Sequence, residues 1–191
     1  SRITSGDFQV EQKRITVPEG STNEQIADAA LLVFPDFDKE KFLYETAGKQ
    51  GYLFPDTYYL LSSSTENLIA KLSDTFQYQV RTLQSEAISE GKDWNEVVTM
   101  ASILEEESAT PEDHIIVAGI LWKRLEIGMA LQVDVAPSTY EQIGFPPEPL
   151  SNPGLGTLEA SLHPAETSYL YYLTGKDSLM HRSEEHTSEL Q

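Results

Sequence analysis

Residues 93–108, DWNEVVTMASILEEES, are predicted to form a helix with one apolar face, and this prediction constrains the fold more than any other. Asp93 can cap the helix, and Glu96 three residues later completes a pattern that resembles a capping box. Four apolar residues recur at helical spacing on one side: Val97, Met100, Ala101 and Leu104. Because such a face has to be buried, other amphipathic elements must pack around it.

Glu107 is the side chain of this stretch that carries a candidate chemical function. At 3.6 residues per turn it returns to within about 20° of Met100, on the apolar stripe, whereas Glu105 and Glu106 are expected to point toward water. A carboxyl group held against apolar neighbours loses hydration, which disfavours its charged form and suits it to general acid catalysis. Acidic runs at helix ends are also common on solvated surfaces, so the pattern alone leaves a structural role open.

More helices are predicted on both sides of this stretch. Ser21 and Glu24 form another capping-box pattern in front of a helix, and Asp38 can cap a short helix after it. Residues 64–91 have the spacing of a long amphipathic helix. Thr110, followed by a proline and two acidic residues, is typical of a helix start.

Strands are predicted near both ends of the chain. Residues 8–17 alternate loosely and are typical of a strand pair. Residues 131–134 alternate like a strand, which would place Gln132 and Asp134 on one face. Residues 169–173, YLYYL, are predicted to form a terminal core strand. The fold class predicted from these elements is α+β.

Composition excludes several classes of protein. A hydrophobic content of 39% in 191 residues is typical of a globular chain with a real core. The formal net charge of −18 argues against non-specific nucleic-acid binding, and the lack of cysteine excludes disulfides and thiolate sites. No apolar run approaches the length of a membrane span. The first residues read like the middle of a longer protein, so we expect the true N-terminus to lie upstream.

The last ten residues, 182–191, read RSEEHTSELQ and resemble the translation of a sequencing-adapter oligonucleotide. We therefore leave them out of the fold prediction, as one would leave out a tag. The alternative is a genuine acidic tail.

Motifs for most common chemistries are missing from the sequence. It contains no phosphate-binding loop, no glycine-rich dinucleotide fingerprint, no GxSxG and no paired-histidine zinc motif. The histidines are scattered, so no metal site is predicted. What remains is a buried glutamate, a Gln/Asp pair and many tyrosines, which are side chains that suit the binding and cleavage of sugars.

Five segments together resemble one known family. They are VTMASILEEES, VAGILWKRLEIGMALQVD, GYLFPDTY, FPPEPLSNPG and LHPAETSYLYYL. In this order they are similar to the endolytic murein (peptidoglycan) lytic transglycosylases, the YceG-like or MltG family. The similarity covers about residues 15–181, and the order of the five segments makes it more specific than any one of them.

This resemblance implies an enzyme that cuts within the glycan strands of peptidoglycan. The family cleaves between N-acetylmuramic acid and N-acetylglucosamine and leaves a 1,6-anhydro-muramyl end, without a cofactor or metal. Glu107 matches the family's catalytic acid, the last glutamate of an ASIxExE pattern, and Glu105 is the second candidate. Polar residues that match the family's cleft are Gln132, Asp134 and Asn152, and further substrate-binding candidates are Tyr58, Tyr140 and Arg124.

The resemblance also predicts the domain organisation and the location. Residues 1–48 would be the end of an N-terminal LysM-like module, residues 49–181 a mostly helical catalytic domain with a strand-rich C-terminal part, and residues 182–191 a non-native tail. The family implies a membrane helix upstream of this chain, a place outside the cytoplasmic membrane, and peptidoglycan polymerases as neighbours.

Several departures from the family pattern bear on activity. Lys123 stands where the family often has asparagine, and Gln50 stands where it usually has glutamate. Between Asp134 and Tyr140 the chain is predicted to be shorter than its relatives. After His181 the adapter-like peptide replaces a further family segment.

Two alternative functions remain open at this stage. The chain could bind glycan or a partner enzyme without catalysis. It could also be an unrelated intracellular helical interaction module, in which case no cleft is expected at Glu107. Composition alone favours a buried structural turn for the aromatic stretch 50–61, which contains Tyr58.

Overall fold

A computed structural model describes residues 12–108, 110–174 and 180–184 of the chain. It confirms the α+β class, with six α-helices and two small antiparallel sheets in these ranges. The elements in chain order are β1 (Lys13–Thr16), α1 (Asn23–Val33), α2 (Lys39–Glu45), β2 (Thr57–Leu60), α3 (Thr65–Ser89), α4 (Trp94–Glu107), α5 (Pro111–Glu126), a 3-10 turn (Pro137–Tyr140), α6 (Leu155–Leu162), β3 (Tyr171–Thr174) and β4 (Met180–Ser183). None of the described helices is both long and apolar enough to cross a membrane.

The helix starts follow the local capping rules. The side chains of three predicted caps, Asp38, Asp93 and Thr110, accept a hydrogen bond from the first turn of their helix. Ser64, the first residue of the predicted long helix, does the same at α3. At α1 the prediction was wrong by one residue, because the capping box is formed by Thr22 and Gln25. Ser21 instead forms an isolated β-bridge with Asn152.

The first hydrophobic core joins the N-terminal elements to the beginning of α3. β1 pairs with β2, so that Ile15 lies opposite Tyr58. The largest fully buried side chains of this core come from both sides of the predicted domain boundary at residue 48: Ile15, Ile26, Phe42, Leu53, Leu68 and Leu72. The core thus extends beyond the predicted LysM-like module, whose assignment stays a prediction. Residues 1–11, which include the first four residues of the predicted strand pair at 8–17, lie outside the described residues.

Helix α4 is the centre of the remaining structure. Every residue from Val97 to Leu104 is buried, so the middle of the helix is enclosed on all sides and not only along the predicted stripe. Val97, Val98 and Ala101 pack into a core with α3 and α6. Its other side packs into a third core with α5 and the segment after it. The first turn of α4, residues 94–96, and the last turn, residues 105–107, reach the surface.

The segment 131–134 does not form the predicted strand. Leu131 and Val133 are buried while Gln132 and Asp134 are exposed, as predicted, but Gln132 has a φ of 51°. The backbone N–H groups of Gln132 and Val133 bond to Thr139, which belongs to the 3-10 turn. The backbone N–H groups of this segment therefore bond within the loop and not to a neighbouring strand.

Residues 169–173 become part of a half-exposed hairpin and not a core strand. β3 begins at Tyr171 and pairs with β4, so that Tyr172 lies opposite Arg182. Arg182 and Ser183 belong to the predicted tail, yet they form the end of β4. Residues 185–191 lie outside the described residues, and the origin of the tail stays a prediction.

Candidate active site

The last turn of α4 places three glutamates at the edge of the core. Glu106 is exposed, and Glu105 and Glu107 are half-buried. The half-burial of Glu107 agrees with its predicted helical phase, whereas the prediction that Glu105 points to water was wrong. Three acidic side chains at a helix C-terminus face the negative end of the helix dipole, and no basic residue lies in that turn. A placement this unfavourable for charge favours a functional role for at least one of them.

The two carboxyl oxygens of Glu107 have different surroundings. Oε2 accepts a hydrogen bond of 3.0 Å from the hydroxyl of Tyr172 on β3. Oε1 is buried and has no hydrogen-bond partner among the described residues. Leaving a buried polar atom unpaired costs about 1–3 kcal/mol, and such atoms in native structures are frequently functional.

Tyr172 is held as a neutral hydrogen-bond donor. Burial is the main cause that raises its pKa, and the negative charge of Glu107 and the hydrogen bond to it raise the pKa further. The guanidinium of Arg124 acts in the opposite direction but does not reverse the effect. The hydroxyl therefore keeps its proton at neutral pH.

Arg124 of α5 lies behind Tyr172. Its Nε donates to Leu170 O at 2.7 Å, and its Nη1 donates to Leu131 O. The guanidinium also lies 5.7 Å from the ring centroid of Tyr172. Burial lowers the pKa of Arg124, and the nearby tyrosines and Glu107 oppose that change. With 4% exposure Arg124 does not face a substrate; it joins α5, the 131–134 loop and β3.

Tyr140 and Asp134 form an exposed polar pair on the same side as Glu107. The Tyr140 hydroxyl donates to Asp134 Oδ1 at 2.6 Å. This hydrogen bond is the main cause that raises the pKa of Tyr140. The charge of Glu107 also raises it, so Glu107 lies close enough to Tyr140 to interact with it electrostatically. Gln132 is exposed on the same loop. We call Glu107, Tyr172, Arg124, Tyr140 and Asp134 the Glu107 group.

Glu105 lies at the start of α6. Its Oε2 accepts hydrogen bonds from Gly154 N at 3.0 Å and from Thr157 Oγ1 at 2.7 Å. The positive end of the α6 dipole suits this carboxylate. These contacts give the second candidate acid a structural role that links α4 to α6.

Apart from Gln132, two further predicted substrate-binding residues are not part of the Glu107 group. Asn152 is fully buried and uses both ends of its amide to bind the backbone and side chains around residues 21–53. Tyr58 is 6% exposed and donates to Phe54 O at 2.6 Å. In this structure neither presents a polar atom to a surface on which a glycan could lie. Tyr58 has the buried, structural position that composition favoured, but it lies on strand β2 and not in a turn.

Sequence reasoning did not single out Tyr172. It lies 65 residues from Glu107, in a segment assigned to the core. A strand pattern says which residues share a face but not which distant carboxylate they meet.

No group of three or more His, Cys, Asp and Glu side chains in the described part of the chain could hold a metal ion. A cavity of about 700 Å³ lies toward the other end of α4, where Asp93, Trp122 and Ala165 contribute to its wall. Glu107 does not line this cavity.

Comparison with known proteins decides the family. The model of the YceG-like family matches residues 1–137 and 138–191. The chain belongs to the YceG-like family. This membership excludes the alternative of an unrelated helical interaction module. The break in the match falls between Asp134 and Tyr140, where the chain is predicted to be shorter than its relatives.

Two relatives of this YceG-like chain are endolytic murein transglycosylases. The protein of Bacillus subtilis is 31% identical over an alignment of 148 positions, which covers 65% of this chain and 41% of that protein. The protein of Streptococcus pneumoniae is 25% identical over an alignment of 236 positions, which covers 90% of this chain and 43% of that protein. This chain thus spans about two fifths of the length of either relative.

A solved structure supports the fold of the YceG-like chain. The crystal structure of a YceG-like protein from Listeria monocytogenes superimposes with a TM-score of 0.81 and 24% sequence identity. The match covers 91% of this chain and 73% of that one.

Proposed function

We propose that this chain is the catalytic part of a peptidoglycan lytic transglycosylase, with Glu107 as its acid and base. The relatives' names support the activity, and the environment of Glu107 supports the assignment of the acid. One observation carries the assignment: Glu107 is half-buried, with one oxygen held by Tyr172 and the other unpaired. The exposed Asp134–Tyr140 pair supplies polar groups for sugar hydroxyls on the same side.

In the proposed reaction Glu107 first gives up one proton and then takes up another. The protonated carboxyl group donates to the glycosidic oxygen, and the bond between that oxygen and C1 of the muramyl residue breaks. The carboxylate then accepts the proton of the muramyl 6-hydroxyl while O6 bonds to C1. Glu107 regains its proton, no water is consumed, and a 1,6-anhydro end remains. A second carboxylate nucleophile, as in most glycosidases, is not needed.

The substrate and the location follow from this proposal. The substrate would be the glycan strand of peptidoglycan, outside the cytoplasmic membrane. A parent protein anchored by an upstream helix could act beside peptidoglycan polymerases. Gln132, Asp134 and Tyr140 would contact the sugar, while Arg124 would keep the loop and β3 in place.

The decisive experiment compares Glu107→Gln with Glu106→Gln, the same change at the exposed neighbour. Purified sacculi are incubated with each protein, and anhydro-muropeptides are measured by mass spectrometry after muramidase digestion. Glu107→Gln should lower their release by at least about 10²-fold, whereas Glu106→Gln should match the parent. If Glu107→Gln releases as much as the parent, the acid has been assigned wrongly.

The same experiment separates the non-catalytic alternative. The parent chain and Glu107→Gln are also tested for co-sedimentation with sacculi. Binding by both proteins without any anhydro product from the parent would favour a glycan-binding protein over an enzyme.

A further inference from the structure

We propose that Tyr172 is a positioning residue that holds the carboxyl group of Glu107 in one orientation by a hydrogen bond to Oε2. This inference rests on the proposed function, because it assigns Tyr172 to the orientation of the proposed acid. The hydroxyl of Tyr172 is 3.0 Å from Oε2, within ordinary hydrogen-bond distance. Oε1 is buried and has no hydrogen-bond partner among the described residues, so no second side chain there competes with Tyr172 for the orientation of the carboxyl group.

Two arginines bind the β3–β4 hairpin to α5 and thereby hold the Tyr172 hydroxyl in position. Arg124 binds Leu170 O, two residues before Tyr172, and stacks near its ring. Arg182, opposite Tyr172 on β4, donates to Asp113 Oδ1 in the first turn of α5 at 3.1 Å. The hairpin therefore cannot shift along α5 without breaking charge-assisted hydrogen bonds, which are stronger than neutral ones.

The groups that face Glu107 come from three other elements. Tyr172 approaches from β3, Arg124 from α5, and Tyr140 from the 3-10 turn. Of these, Tyr172 donates a hydrogen bond to Glu107. Tyr140 instead donates to Asp134, and the contacts of Arg124 go to Leu170 and Leu131.

The hydrogen bond restricts the side-chain torsions of Glu107, so that the carboxyl group keeps one orientation through both proton transfers of the proposed reaction. Loss of the hydroxyl should leave the fold intact, since the ring alone packs against the third core.

The test is Tyr172→Phe, which removes only the hydroxyl, with Tyr169→Phe on the same hairpin as the matched control. Tyr172→Phe should lower kcat about tenfold with KM unchanged, because the carboxyl group loses its fixed orientation but the sugar contacts remain. Tyr169, which is 38% exposed, should tolerate the change without this effect. A kcat of Tyr172→Phe equal to that of the parent would overturn the proposal.

A second measurement does not depend on activity. The side-chain carboxyl carbons of glutamate are observed by ¹³C NMR at pH 7, and the Glu107 signal is assigned by its loss in Glu107→Gln. Because the chemical shift of a carboxyl carbon depends on its hydrogen bonds, this signal should move in Tyr172→Phe and keep its position in Tyr169→Phe. An unchanged signal in Tyr172→Phe rejects the positioning role. An active Glu107→Gln rejects the proposed function instead, so the two failures are distinguishable.

Discussion

Glu19 shows how the position of a carboxyl group in the fold can disfavour its ionised form. It lies in the turn before α1 and packs against Gly154, where an added Cβ would come within 1.9 Å of Glu19 Oε1. Glu19 is exposed as a whole residue, but partial burial of its carboxyl group is the main cause that raises its pKa above the ordinary value of 4.5. The charge of Glu105 raises the pKa further. His114 has the opposite effect.

The raised pKa of Glu19 predicts how stability depends on pH. The folded state binds more protons than the unfolded state from about pH 4.5 up to the raised pKa, so stability falls as pH rises through that window. Glu19→Gln removes this dependence. Relative to the parent, the variant should therefore gain stability from pH 4 to pH 7 in urea unfolding.

Glu159→Gln on the exposed side of α6 is the control for this prediction, and it should keep a constant difference from the parent. The sign is wrong if Glu19→Gln loses stability relative to the parent as the pH rises.

At the scale of the helices, α5 depends on a close approach by the segment that follows α6. Ala165 N donates to Ile115 O at 3.0 Å, which holds this segment against the helix. A Cβ added to Gly119 would lie 2.2 Å from the carbonyl oxygen of Ala165. Glycine in a helix interior is normally unfavourable, and this contact is the reason for it here.

Gly119→Ala should therefore destabilise the protein by about 1–3 kcal/mol, because backbone has to move, although alanine is the better helix former. The matched control is Gly156→Ala in α6, where a Cβ would meet nothing within 4 Å. That variant should be more stable than the parent by about 0.5–1 kcal/mol. Urea unfolding measures both changes, and the same sign for the two variants would contradict this account.

At the scale of the whole molecule, Asn152 joins the N-terminal core to the helical part. Its Oδ1 accepts from Gly51 N at 2.8 Å and Leu53 N at 3.0 Å. Its Nδ2 donates to Ser21 O at 2.8 Å and Asn23 Oδ1 at 3.0 Å. The Asn152 side chain therefore links the segments at residues 21–23 and 51–53 by hydrogen bonds.

Asn152→Ala should cost about 2–6 kcal/mol, because two buried N–H groups each lose their acceptor at about 1–3 kcal/mol. The amides of Gly51 and Leu53 should also exchange faster with deuterium. Asn67→Ala on the exposed side of α3 is the control, with an expected change within about 0.5 kcal/mol. A similar, small effect of both substitutions would mean that the loops hold together without Asn152.

The local parts of this protein were predictable because their causes lie within a few residues. The helix starts at Asp38, Ser64, Asp93 and Thr110 depend on a side chain and the N–H groups next to it. The half-burial of Glu107 follows from helical period alone. The cap of α1 was misplaced because Ser21 is taken by a bridge to Asn152, a residue that lies far along the chain.

Sequence by itself determined the α+β class, most helix boundaries and the family, including a glutamate at the border of the core. Only the tertiary structure decided that Tyr172 holds this glutamate, that Glu105 binds the start of α6, and that Asn152 is a buried connector. Patterns of three to seven residues report which side of an element is apolar. They carry no information on which distant segment will supply a hydrogen-bond partner, because that depends on how all the helices pack together.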